Sequence, residues 1–209
     1  MKMTDRGLVA LIRHEGIVPA PYLDVRDVWT FGIGHTGAAG DPNPSDMKRG
    51  MPADLDQGIR AAFDTFRADI ARYERDVCNA IAVPVEPHEF DALVSFHYNT
   101  GAIHSARLTR LLNAGLRDAA AEAFMGWLKP GAIRPRREAE RDLFRHGRYP
   151  EGTIPVWPVD AGGRVNFTRC ARRLTESEAL ALLQPVPEPA GWLARLCTFL
   201  STLIRRQSA

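Results

Sequence analysis

The feature that most constrains this chain is one long helical segment set between two stretches of different character. Asp54 with Gln57 three residues later forms a capping-box-like start, and the helix is predicted to run to about Ile81. A mean helix has only about 11–12 residues. The extra length suits a strut joining an N-terminal lobe to a C-terminal lobe.

On the N-terminal side, Leu8, Leu11 and Ile12 fall at helical spacing and Gly16 follows as a stop, which predicts a short first helix. Tyr22 to Val25 and Val28 to Ile33 are β-favouring runs around Arg26 and Asp27, so they read as a small hairpin. A loop rich in Gly, Pro, Asn, Asp and Ser spans Gly37 to Pro52. On the C-terminal side, Phe90, Leu93, Val94 and His97 mark a helix ending near Asn99 and Gly101. Further helices are expected at about Arg107 to Asn113, Arg117 to Leu128, Pro135 to Arg145 and Thr175 to Leu183, the last opened by a Thr175, Glu178 capping box. Ile154 to Val159 and Arg164 to Phe167, flanking Ala161-Gly162-Gly163, suggest a second hairpin. The expected fold class is α+β, mostly α, in two lobes, with no internal repeats.

Glu15 continues the series Leu8, Leu11, Ile12, so the last turn of the first helix carries a carboxyl on the face that points into the protein. Partial desolvation and the negative end of the helix dipole both favour its protonated form. A carboxylic acid that keeps its proton near neutral pH is what a glycosidase needs at a leaving oxygen. Asp24 and Thr30 lie symmetrically about Asp27, so a hairpin turning there sets a carboxylate opposite a hydroxyl on the same face. Two carboxyls flanking a sugar bond, one as acid and the other as nucleophile or water-activating base, are the parts of glycoside hydrolysis. Most Glu and Asp are solvated surface groups, so these alone do not define an enzyme.

The whole string carries more. His14-Glu15-Gly16, Tyr22-Leu23-Asp24 and Trp29-Thr30-Phe31-Gly32-Ile33-Gly34-His35-Thr36 resemble the active-site signature of tailed-phage lysozymes, glycoside hydrolase family 24, with the spacing E-x8-D-x5-T followed by G-x-G-H. Phe90 to Phe96 with Asn99-Thr100-Gly101, then Leu111 to Gly115 and Arg136 to Phe144, continue the likeness, which covers about Thr4 to Gly147. The resemblance implies a lysozyme-like fold with a small N-terminal hairpin lobe, a connecting helix and a helical C-terminal lobe. It implies Glu15 as general acid, Asp24 as the carboxylate that activates or positions water, and Thr30 as a holder of that water. His35 is then a support for the acid's surroundings that pairs with Asp69, and Asn99 a group for the glycan's amides. Asn99 reads equally well as a helix cap, and Arg137, from the basic stretch, is a second candidate substrate-binding residue. Asp27 departs from the glycine that many relatives carry in the hairpin turn.

The implied function is that of an endolysin hydrolysing the β-1,4 bond between N-acetylmuramic acid and N-acetylglucosamine in bacterial peptidoglycan. Its context is host lysis and particle release, with a holin-like membrane protein giving passage from the host cytoplasm to the wall. A lytic transglycosylase acting on the same bond with Glu15 alone, and a catalytically inactive wall-binding module, are the alternatives. No cofactor is expected. His88, His97, His104 and His146 show no metal-ligand spacing with one another.

Bulk properties agree with one catalytic unit. The chain has 209 residues, 45% of them hydrophobic, and a formal charge of only +2, which makes nucleic acid a poor partner. Cys78, Cys170 and Cys197 are too few and too scattered for a disulfide framework and read as packing thiols of a reducing compartment. Charges at Asp5, Arg6, Arg13 and His14 interrupt any secretory or membrane-spanning run at the start. Arg134, Arg136, Arg137, Arg141, Arg145 and Arg148 meet wall carboxylates or cleft acids on one reading, and pair with Glu138, Glu140 and Asp142 on the other. Trp29 and Trp127 read as core in preference to sugar platforms.

The catalytic domain is expected to span 1–184, divided at about 1–53, 54–82 and 83–184. A Pro-rich spacer and an amphipathic helix from Trp192 to Arg206 occupy 185–209. That tail is a candidate for weak membrane association or self-association.

Overall fold

The computed structural model describes residues 1–185. The Trp192 to Arg206 helix expected from the sequence lies outside the described residues. Helix α1 (Asp5–Glu15) leads into strands β1 (Val18–Leu23), β2 (Trp29–Gly32) and β3 (His35–Thr36). The long helix α2 (Leu55–Ala80) follows, then α3 (Pro87–Thr100), α4 (Arg107–Asn113), α5 (Arg117–Ala123) and α6 (Arg134–His146). The described chain closes with β4 (Ile154–Val156), β5 (Arg172–Leu174) and α7 (Glu176–Leu183). This is a mostly helical α+β fold with a small antiparallel sheet at its N-terminal end. No described helix is long and apolar enough to cross a membrane.

The helix ends obey the local chemistry read from the sequence. Asp54 accepts the Gln57 amide at 3.0 Å to start α2, and Thr175 and Glu178 form a reciprocal capping box on α7. Buried Val9, Leu11 and Ile12 of α1 meet the main core. Helix α3 is buried over most of its surface and sits inside that core through Phe90, Leu93, Val94 and Phe96. Its buried Asp91 accepts the Thr4 amide at 2.9 Å, the Thr4 hydroxyl at 2.6 Å and the Tyr149 hydroxyl at 2.8 Å, pinning the start of α1.

Three local expectations are corrected. The hairpin pairs Tyr22 with Thr30 and Leu23 with Trp29, and the Asp24 amide donates to the Val28 carbonyl at 3.1 Å, so Asp24 is not opposite Thr30. The turn tightens because Asp24 Oδ1 accepts the amides of Arg26 at 2.8 Å and Val28 at 2.9 Å, an Asx turn, while Asp27 takes the left-handed φ of 58°. The pairing shifts by two residues along the strand, so Asp24 and Thr30 still share a face.

Helix α5 stops at Ala123, short of Leu128, and tightens into a 3₁₀ turn over Phe124–Gly126. A 3₁₀ turn aligns positions i and i+3, and Phe124 and Trp127 both set their rings edge-on to Phe96, with centroids 5.5 and 5.3 Å away.

The second hairpin is rearranged. Val159 bridges Val165 across the Ala161-Gly162-Gly163 tip, but Ile154–Val156 pairs with Arg172–Leu174 instead. The buried side chains Ile154, Val156 and Leu174 then reach the main core together.

Candidate active site

The site is built where the end of α1 meets the face of the hairpin. Glu15, the last residue of α1, and Tyr22, Asp24 and Thr30 of the hairpin line one cleft of about 610 Å³. Its opposite wall is made by Tyr98, Asn99, Trp127, Lys129 and Arg137. The cleft therefore brings together residues from both ends of the matched string.

Glu15 keeps 19% of its side chain exposed, and its Oε1 accepts a hydrogen bond from Arg136 Nη1 at 2.7 Å. The same guanidinium donates from Nε to Glu140 Oε1 at 2.9 Å and from Nη2 to the Ser95 carbonyl at 3.1 Å. The pull of Glu15 and Glu140 outweighs the desolvation of Arg136, and its pKa is raised above the usual value. Arg136 therefore stays charged, and a fixed cation accompanies the acid. Of the two readings offered for the basic stretch, a partner for the cleft acids or for its own acidic neighbours, Arg136 satisfies both, through Glu15 and through Glu140 one turn later.

Gly34 opens the floor beside the acid. At its φ of +79° a side chain is strained, and a Cβ there would stand 3.2 Å from the Tyr98 ring and 3.6 Å from Glu15 Oε2. Tyr98 donates its hydroxyl to the Ile33 carbonyl, which fixes the turn from the other lobe. Burial, aided by the nearby Glu15 carboxylate, pushes the phenols of Tyr98 and Tyr22 up, so both remain neutral hydrogen-bonding groups in the cleft.

Asp24 is 21% exposed and its turn-capping bonds hold the carboxylate in one place. Thr30 is buried and donates its hydroxyl to the Val28 carbonyl at 3.1 Å. His35 lies deeper, with Nδ1 2.8 Å from Asp69 Oδ2 and Nε2 2.8 Å from the Pro42 carbonyl, so it ties β3 to α2 and to the following loop.

Asn99 and Arg137 stand together on the opposite wall. Asn99 is exposed at the cleft wall. Arg137 is 1% exposed, and its donors go to Glu140, to Asn99 Oδ1 and to the Trp127 carbonyl. Its donors thus serve protein partners, Asn99 among them. Arg134 pairs with Glu138, Arg141 with Asp142 and Arg145 with Glu122, so these three form the solvated side of the basic stretch. Trp127 is 36% exposed on the cleft wall, unlike the core position expected of it. Cys78 is exposed, unlike the packed thiol expected, and Cys170 is partly so. Among the described residues, no group of three or more His, Cys, Asp or Glu gathers around a possible metal ion.

Known proteins resemble this chain in sequence and in fold. The phage lysozyme family profile matches residues 12–140. The endolysin of Salmonella phage P22 is 31% identical over 150 residues, covering 69% of this chain and 98% of that protein. The endolysin of Bacillus phage PZA is 30% identical over 199 residues, covering 87% of this chain and 72% of the relative. Among solved structures, the endolysin from Escherichia coli O157:H7 phage FAHEc1 superposes with a TM-score of 0.62 at 30% identity, covering 72% of this chain and 98% of that one. Fold and relatives define a glycoside hydrolase of lysozyme architecture. The chain belongs to the phage lysozyme family and is a lysozyme of the endolysin type.

Proposed function

We propose that this lysozyme hydrolyses the β-1,4 bond between N-acetylmuramic acid and N-acetylglucosamine in bacterial peptidoglycan, with Glu15 as general acid and Asp24 and Thr30 handling the attacking water. The observation that carries this reading is the single cleft shared by Glu15, from the end of α1, and by Asp24 and Thr30, from the hairpin. Glu15 Oε1 is the oxygen held by Arg136. Oε2, beside Gly34, is the oxygen that delivers the proton to the leaving sugar. As the bond breaks, Glu15 becomes a carboxylate and the Arg136 cation stabilises it. Asp24, fixed by its own turn, takes the proton of a water that Thr30 holds in place, and that water closes on the sugar carbon.

In this reading His35 and Asp69 brace the hairpin from below. Asn99, oriented by Arg137, meets the glycan's amide groups. Residues 1–184 form the catalytic unit, and 185–209 is an appendage with a role in membrane association or self-association. The protein is made in the host cytoplasm, reaches the wall once a holin-like membrane protein lets it pass, and lyses the host. A lytic transglycosylase would need the acid but no water-handling pair, so Asp24 and Thr30 in the cleft favour hydrolysis.

The test is turbidity loss on purified cell wall. Glu15→Gln is expected to lower the rate by about a hundredfold or more, and Asp24→Asn to lower it comparably while both variants remain folded. Equal lysis by wild type and Glu15→Gln contradicts the proposal.

A further inference from the structure

The edge of β1 that faces away from β2 would, if left open, present unpaired backbone groups. The segment following α6 closes it at both ends. At the start of the strand, the Ile17 amide donates to the Pro155 carbonyl at 3.0 Å and the Trp157 amide donates to the Ile17 carbonyl at 2.8 Å. At its far end, immediately before Asp24, the Leu23 amide donates to the Gly163 carbonyl at 2.9 Å.

Gly163 stands at the tip of a finger formed by residues 158–166. The Val159–Val165 bridge closes the finger, and Asp160 Oδ1 accepts the amides of Gly162 at 2.8 Å and Arg164 at 2.9 Å. Its base packs Trp157, Val159 and Val165 against Val18, Ala20 and Tyr22, a hydrophobic cluster separate from the main core. At the tip, a Cβ on Gly163 would stand 2.6 Å from the Trp29 indole, and the residue's φ is +83°. The other grip on Trp29 comes from Arg49, whose guanidinium carbon is 3.2 Å from the indole centroid. One glycine therefore touches Leu23, which precedes Asp24, and Trp29, which precedes Thr30. The finger lies beyond residues 12–140, the part matched by the family profile.

We propose that the finger is a positioning element for the reaction: Gly163 fixes both strands of the hairpin where they present Asp24 and Thr30 to the water. This inference rests on the role assigned above to Asp24. Gly163 acts through Leu23 and Trp29 and does not touch substrate. A displacement of the carboxylate by a fraction of an ångström slows the chemical step and leaves the sugar-binding walls on the opposite lobe as they were.

The test compares full-length wild type and Gly163→Ala by hydrogen exchange at the Leu23 amide and by steady-state kinetics on soluble peptidoglycan fragments. The expected result is faster exchange at Leu23 and a kcat lowered about tenfold, with KM within about twofold of wild type. Adding Trp29→Phe, which removes the indole atoms the new methyl meets but leaves the strain at positive φ, is expected to recover only part of that kcat. Faster exchange at Leu23 with unchanged kcat overturns the proposal, as does a change confined to KM. If Gly163→Ala does not fold, Val159→Ala leaves the tip conformation available and is read by the same outcomes. Asp24→Asn with wild-type kcat would instead overturn the role of Asp24, whatever the finger does to Leu23.

Discussion

Arg136 and Glu15 form an ion pair of 2.7 Å between the start of α6 and the end of α1, the two helix ends that meet behind the cleft. The pair is largely buried, and Arg136 also serves Glu140 and the Ser95 carbonyl. Removing one partner from such a network leaves uncompensated charge, whereas the planar fork of arginine is what joins all three acceptors. Arg136→Met is expected to destabilise the fold by about 3–5 kcal/mol. Arg136→Lys keeps the charge but not the fork, and is expected to lower kcat about tenfold with a smaller loss of stability. Chemical denaturation alongside steady-state kinetics checks both; a lysine variant with wild-type kcat would show that charge alone suffices.

Gly7 and Asp91 set the distance between α1 and α3. A Cβ at Gly7 would stand 2.2 Å from Asp91 Cγ, and Asp91 is held by Thr4 and Tyr149. Alanine favours a helix over glycine by about 1 kcal/mol, but the displaced carboxyl would lose buried hydrogen bonds. Gly7→Ala is therefore expected to destabilise by about 2–3 kcal/mol net. A rise in Tm would show that helix propensity wins.

His14 makes stability depend on pH in the acid range. Burial first, and then the neighbouring Arg136, push its imidazole down to about 4 from 6.5. The unfolded chain takes up this proton below about 6.5, and the folded protein does so only near 4. Stability is therefore lost as pH falls through that window, by about 2–3 kcal/mol at its lower end. His14→Gln removes the titrating imidazole, so its stability is expected to vary less than that of wild type between pH 6.5 and 4. Parallel curves for the two proteins would contradict the assignment.

Helices were legible in the sequence because their signals are local. The Leu8, Leu11, Ile12 spacing, the Asp54 cap and the Thr175, Glu178 box each act within a few residues. The hairpin register depended on a carboxylate choosing its own backbone: Asp24 caps its turn, and this moved its partner from Thr30 to Val28. The choice of Arg136 for Glu15 depended on how α6 is rotated against α1, since Arg136 and Arg137 are adjacent and both buried. The finger was half legible. Its glycine-rich tip is a local signal, but Ile154 finds its partner at Leu174, twenty residues on, through shared burial and no turn signal.

The chemistry of the cut ends separates hydrolysis from transglycosylation. Mass spectrometry of purified peptidoglycan digested by the full-length protein is expected to show muramic acid ends that are reducing and have gained one water, formed by wild type and lost in Glu15→Gln. Anhydromuramic ends would contradict a hydrolysis in which Asp24 and Thr30 handle water, and would assign the cleft to transglycosylation.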